Sequence, residues 1–247
     1  TFKEGGTNFT NSLMVGDDAT GTLNAATGNT ALGIDVFAAL TSGDNNTVVG
    51  FAGGTDLTTG HSNALMGVGA GSNLTVGYEN VAIGFNALKD AVGGVHNNVC
   101  IGNKAGESLF TDTYSLASYN IAIGTEALAT LTDRGDNVAI GNKALGMNDS
   151  SVISQCTAVG NLTFSNVAFG GYGNTAFGYR AGVNQTGGLH NTFVGRASGV
   201  NVTTGGTNCH LGWNTQNSSA GTSEIVIGAG ATGKGNTTGF IHPGGGA

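Results

Sequence analysis

The stretch Asn80-Val-Ala-Ile-Gly84, followed by Phe85-Asn-Ala-Leu88, sets the pattern for the chain. Its form is Asn, a Val or Thr, a small residue, a large aliphatic and a closing Gly. Ten copies begin at Asn29, Asn46, Asn63, Asn80, Asn98, Asn120, Asn137, Asn174, Asn191 and Asn208. Looser copies end at Gly16, Gly160, Gly170 and Gly228. From Gly16 to Gly84 every step between closing glycines is 17 residues, and the later steps lie mostly between 16 and 22. A fixed period over a whole chain is the mark of a repeat architecture. Seventeen residues are too few for a helix pair or a propeller blade. They suffice for two short strands and two turns, one coil of a β-solenoid. The expected fold is therefore all-β: a β-solenoid or β-roll of about 13 coils, roughly 60 Å of rod at about 4.8 Å per coil.

Composition narrows the class. The chain has 247 residues, of which 46 are Gly and one is Pro, without the three-residue period of collagen. Ile, Val, Leu and Phe recur at fixed places, which disordered chains lack. Net charge is −7 with only eight Lys plus Arg, scattered singly, so no basic stripe exists for nucleic acid. No apolar run approaches the length needed for membrane insertion. The first residue is Thr, which suggests a processed start or a segment of a larger protein. Cys100, Cys156 and Cys209 fall in three different repeats with no zinc-site spacing. Cys100 takes the usual Ala place and Cys209 the usual Thr/Val place, and both read as small buried fillers.

Residues 1–12 read as a leading cap, 13–228 as the repeat domain, and 229–247 as a Gly-rich terminal segment. Gly and Asn cluster before each new phrase, as in Gly77-Tyr-Glu-Asn80, and mark the corners of the coil. Extra residues fall between phrases, chiefly in Glu107–Tyr119 and Met147–Gln155, which should bulge as loops.

Alternation along a strand assigns the faces. The place before the closing Gly is always large and apolar, as in Val49, Met66, Ile83, Ile101, Ile123, Ile140, Phe177 and Leu211. It is expected to point inward and stack as a spine. The residue two earlier (Thr30, Thr47, Val81, Val99, Ile121, Val138) would share that face. The residue between them, commonly Ala82, Ala122 or Ala139, would then face outward. A column of Ala there implies close contact with another copy of the chain. His210 stands in the same column, so three copies of it would approach one another in a trimer. The Asn column is expected to form an amide ladder along the axis.

The phrase Asn-Val-Ala-Ile-Gly followed by Ala-Leu or Ala-Gly resembles the head repeat of trimeric autotransporter adhesins. That family carries Ser-Val-Ala-Ile-Gly in a shorter repeat, a left-handed β-roll with three chains side by side. The longer repeat with Thr-Gly-x-x-Asn corners resembles repetitive tail-fibre proteins of bacteriophages. Residues Ser223 to Gly235 resemble the closing repeat of such fibres. Gly239-Phe-Ile-His-Pro-Gly-Gly-Gly246 resembles the approach to their self-cleaving C-terminal chaperone. The resemblance spans about residues 13–247. It implies a homotrimeric rod, able to stack end to end, located on a virion or outside a cell. The chaperone would have been removed after trimerisation. The implied partner is a bacterial surface glycan or protein.

Other motifs read as by-products of the repeat. Gly228-Ala-Gly-Ala-Thr-Gly-Lys234 nearly spells a phosphate-binding loop, but Gly235-Asn-Thr-Thr-Gly239 is a poor helix start. His61, His96 and His190 lie in similar corners without metal-ligand spacing, and read as solvated. Asp17-Asp18 would fall on opposite strand faces, so it is no carboxylate dyad. No cofactor, metal or catalytic residue is assigned. The first functional reading is a non-enzymatic fibre for host-surface attachment, with Tyr78, Tyr119, Tyr172, Tyr179 and Trp213 as candidate sugar contacts where exposed. A bacterial surface fibril is the alternative. Ice binding and a glycan-cleaving fibre enzyme are further classes, the first resting on the interrupted Thr column, the second lacking paired carboxylates.

Overall fold

A computed structural model describes residues 2–16, 21–109, 117–133, 135–146, 151–165, 171–218 and 221–242. The Asp17-Asp18 pair, the short copy ending at Gly170, parts of the two longer connections and the residues after His242 lie outside these. The chain divides into two compact units, Thr1–Arg134 and Gly135–Ala247. Each is a β-solenoid, and no helix occurs among the described residues.

In the first unit the rungs are Phe9–Gly16, Thr30–Gly33, Thr47–Val49, Ala64–Met66, Val81–Ile83, Val99–Ile101 and Ile121–Ile123. Each pairs in parallel with the next, without slippage, so that Ala82 lies over Cys100 and Ile83 over Ile101. The second unit repeats this with Val138–Ile140, Thr157–Val159, Thr175–Phe177, Thr192–Val194, Cys209–Leu211, Ile225–Ile227 and Gly239–Ile241. The last pairing, Val226 with Phe240, carries the solenoid past Gly228 into the segment expected to be terminal. At the other end Phe2–Gly6 pairs antiparallel with Phe9–Gly16, so a hairpin covers the edge of the first rung.

The closing glycine is fixed by contact. At Gly102 φ is +133°, and a Cβ there would lie 2.7 Å from the carbonyl oxygen of Gly124 in the next coil. No L side chain fits between coils spaced by one β-ladder.

The strand faces are the reverse of those expected. The middle residue of each rung is inside: Ala31, Val48, Leu65, Ala82, Cys100, Ala122, Ala139, Ala158, Ala176, Phe193, His210 and Val226 are all buried. The large aliphatics before the closing Gly stand outside: Leu32 is 52 % exposed, Met66 49 % and Ile83 37 %. Ala82, Ala122, Ala139 and His210 are therefore not interface residues. They are the core of their own chain.

The reason is the width of the coil. From the rung of Ala31 to that of Phe193, the residue six places after the rung's middle is buried on the facing wall, and the two share one space. Where the rung offers Ala, that wall supplies a large residue: Ala31 with Phe37, Ala82 with Leu88, Ala122 with Leu128, Ala139 with Leu145, Ala158 with Phe164. Where the rung offers more, the wall supplies Gly: Val48 with Gly54, Leu65 with Gly71, Cys100 with Gly106, Phe193 with Gly199. A Cβ on Gly71 would lie 2.9 Å from Leu65 Cδ1. Ala176 and Gly182 are both small, and the Phe164 and Phe193 rings, 5.9 Å apart, fill that coil from its neighbours. In these coils the wall position is left-handed, with φ of +54° at Leu88 and +58° at Gly71. Leu and Phe hold this conformation against its usual cost because burial of the side chain offsets it.

The Asn column forms the expected ladder. Asn63 Nδ2 donates to Asn46 Oδ1 at 3.0 Å and to the Gly77 carbonyl at 2.9 Å, while the Asn80 amide donates to Asn63 Oδ1 at 3.1 Å. The Asn63 side chain thus ties three successive coils. Two residues substitute within the column. Cys156 stands in it with its amide on Asn137 Oδ1 at 3.0 Å. Glu224 ends it with its amide on Asn208 Oδ1 at 2.9 Å.

Candidate functional site

Reversal of the faces creates the main feature of the surface. Within each unit the outward columns of the rungs form a stacked aliphatic face. In the first unit it comprises Leu32, Val49, Met66, Ile83, Ile101 and Ile123, flanked by Thr30, Thr47, Ala64, Val81, Val99 and Ile121. The residue after the closing Gly widens it there, for Ile34, Phe51, Val68 and Phe85 are all 46–55 % exposed. In the second unit the face comprises Ile140, Val159, Phe177, Val194, Leu211 and Ile227. Beside it stand Tyr179, Arg196 and Trp213, with the Arg196 guanidinium 5.9 Å from the Tyr179 ring centre. The sequence contained this face in full, and a wrong inside-outside assignment concealed it.

The corner one or two residues before the Asn carries a second ladder in several coils. In the first unit His61, Tyr78 and His96 stack nearly parallel, with centroids 5.0 and 4.6 Å apart. Tyr119 closes the stack edge-on at 5.3 Å. Of the three corner histidines, His61 and His96 are brought to one edge as members of a ring stack, and His190 lies in the second unit. In the second unit Tyr172 meets His190 edge-on at 5.5 Å. Of the aromatic residues singled out as sugar contacts, Tyr78 is engaged on both faces. Tyr119, Tyr172, Tyr179 and Trp213 are exposed.

His210 occupies a polar pocket of its own making. Its Nε2–H donates to Asn217 Oδ1 at 2.6 Å, and the Thr215 hydroxyl donates to Nδ1 at 3.1 Å. The orientation is assigned from the network, since Asn217 Nδ2 donates to the Gly221 carbonyl at 2.8 Å. Ser198 Oγ lies 2.9 Å from Thr215 Oγ1 and donates to the His210 carbonyl at 3.1 Å. Burial lowers the imidazole pKa, against the opposing pull of Asn217 and the Glu224 carboxylate. Nothing in the repeat phrase signals this network. Only the presence of His in an apolar column points to it.

The thiols behave differently from one another. Burial pushes Cys100 up to about 12, as suits an inert filler. Cys209 is exposed on the outer face, contrary to its expected burial. The near phosphate loop is occupied otherwise: Lys234 Nζ lies 4.7 Å from the Phe240 ring centre. A buried carboxylate, Glu224, accepts the Gly235 amide at 2.6 Å, and it would repel a phosphate. Among the described residues no three His, Cys, Asp or Glu side chains converge to hold a metal ion, and no helix is long and apolar enough to cross a membrane. Comparison with protein-family models, with curated proteins and with solved structures gave no match.

Proposed function

We propose that the chain is a non-enzymatic structural subunit that associates with copies of itself, as a homotrimer, into an extracellular or virion-borne fibre for attachment to a bacterial surface. The observation that carries this reading is the aliphatic face. Single soluble chains seldom leave such a contiguous apolar surface in water. Here it recurs on rung after rung, at positions the chain's own core does not use. Parallel copies set face to face would bury these columns against each other, in a symmetric arrangement that closes. Low charge and a core of repeated coils suit a shaft, and the exposed corners remain available for a glycan or protein receptor. A bacterial surface fibril would use the same physics.

Mass measurement by light scattering tests the reading. The native chain should run at three times its own mass. A variant carrying Ile83→Asp and Ile101→Asp on the outer face should run as a folded single chain. A native protein that stays monomeric at micromolar concentration would end the proposal. Ice binding gains one point, because Thr30, Thr47, Thr157, Thr175 and Thr192 stand on the outward side of their strands. Their column is broken by Ala64, Val81, Val99 and Ile121. A thermal-hysteresis measurement separates the two readings.

A further inference from the structure

The corner ladder of the second unit has a missing rung. Ser154, Tyr172 and Leu189 follow one another in parallel register two residues before their column positions. The next place is Gly206, and the one after it is Thr222. Backbone bonds keep these corners in step: Thr207 donates to the Leu189 carbonyl at 2.8 Å, and Ser223 to the Gly206 carbonyl at 2.9 Å. The backbone continues through Gly206, and only its side chain is lacking. What results is an open cleft of about 660 Å³, with Leu189 on one side and Thr222 on the other.

Its dimensions fit one ring. Leu189 and Thr222 are two coils apart, about 9.6 Å along the axis. In three successive coils of the first unit the same corner column holds one imidazole or phenol ring each, at 5.0 and 4.6 Å. The place of Gly206 can therefore accept one ring supplied from outside. The lining states which kind. Leu189, 46 % exposed, presents a single apolar surface. Around it stand the hydroxyls of Thr204 and Thr222 and the imidazole of His190, while the Thr207 hydroxyl is engaged by the Gly206 carbonyl and by Ser223 Oγ, each at 2.7 Å. No Lys, Arg, Asp or Glu lines the cleft. One apolar contact with a rim of hydroxyl and imidazole donors and acceptors suits a molecule with a C–H face and a hydroxylated edge.

We propose that this cleft is a binding site for a neutral saccharide, with one pyranose ring lying on Leu189 in place of the absent Gly206 side chain and its hydroxyls bonded by Thr204, Thr222 and His190. The inference rests on the attachment reading and names its ligand class. A single shallow site binds a monosaccharide with a Kd on the order of millimolar. Several copies on one fibre raise the effective affinity for a polysaccharide by a hundredfold or more, on the order of 10²–10⁴.

Saturation-transfer NMR on the full chain tests this with the methyl glycosides of glucose, galactose, mannose and N-acetylglucosamine. At least one should receive saturation at its ring C–H protons. Gly206→Tyr, whose Cβ meets the Leu189 carbonyl oxygen at 3.0 Å and so needs a small backbone shift, fills the rung that Tyr172 and Tyr78 fill elsewhere and should abolish the transfer. Leu189→Ser alters only an exposed side chain and should reduce it several-fold, which keeps the test valid if the first variant folds poorly. Absence of transfer to all four glycosides overturns the proposal, as does transfer that survives in both variants. Transfer to N-acetyltyrosine amide without transfer to any glycoside also overturns it, and makes the cleft a peptide site. A chain that assembles and adsorbs to cells without binding glycosides sinks this site alone. A monomer that binds glycosides sinks the fibre and leaves the site standing.

Discussion

The coil closed by Gly84 and the coil closed by Gly195 solve one packing problem in opposite ways. In the first unit Ala82 leaves the space to Leu88, and in the second Phe193 takes it and faces Gly199. The filled volume is kept while its source moves from one wall to the other. One coil further on the second unit departs again: His210 enters the column, and Thr215, Asn217 and Ser198 are recruited to satisfy it. Both units alternate the two solutions, as Val48 with Gly54, Leu65 with Gly71 and Cys100 with Gly106 show in the first; the second adds Cys156 and Glu224 in the Asn column. A solenoid coil needs a constant sum of side-chain volumes and a partner for every buried polar atom. It does not need a constant sequence.

This comparison can be broken most severely at Phe193. Phe193→Ala should destabilise the second unit by about 3–5 kcal/mol through the cavity it leaves. Adding Gly199→Leu, which copies the Ala82–Leu88 arrangement, should recover a good part of that in denaturant unfolding. No recovery would mean that the walls do not exchange volume. The converse change, Ala82→Leu, should cost about 1–3 kcal/mol by overpacking, and should cost less when Leu88→Gly accompanies it.

The His210 coil sharpens the comparison through pH. Its folded-state pKa is lowered, so the unfolded chain binds the proton more readily. Stability contributed by neutral His210 is complete above the unfolded value of about 6.5 and falls as pH drops below it. Melting of the native chain should therefore decline on acidification from pH 7, and His210→Phe should flatten that slope whatever its effect at neutral pH. A slope unchanged in the variant would remove His210 as its source. Smaller again is the effect at the Asn column: Cys156→Asn, restoring the amide that the first unit carries in every coil from Asn29 to Asn120, should stabilise by about 1 kcal/mol. A thiol label adds a test without an energy term. Cys209 should react in the separate chain and be protected in the assembled one, while Cys100 stays unreactive in both.

Much of this could be read in advance from particular residues. The closing Gly and the 17-residue step gave the solenoid, and the repeated Asn gave the ladder that Asn46, Asn63 and Asn80 form. The facing of the rungs could not be read the same way. Alternation says that Ala82 and Ile83 lie on opposite faces, and hydrophobicity favours putting Ile83 inside. That choice ignores the other wall of the coil, where Leu88, six residues on, already fills the interior. The missing rung at Gly206 was equally hidden, since one more Gly in a chain this rich in Gly carries no signal of its own.

The sequence alone determined the period, the parallel stacking, the amide column and the positions of the turns, because these depend on local geometry repeated at a fixed spacing. The tertiary structure decided which side of each rung is core, which aliphatic columns are left facing water, and where a corner lacks a side chain. Those depend on volume shared between residues on different walls and different coils. Volume complementarity is a property of pairs brought together by folding, and no single position in the repeat expresses it.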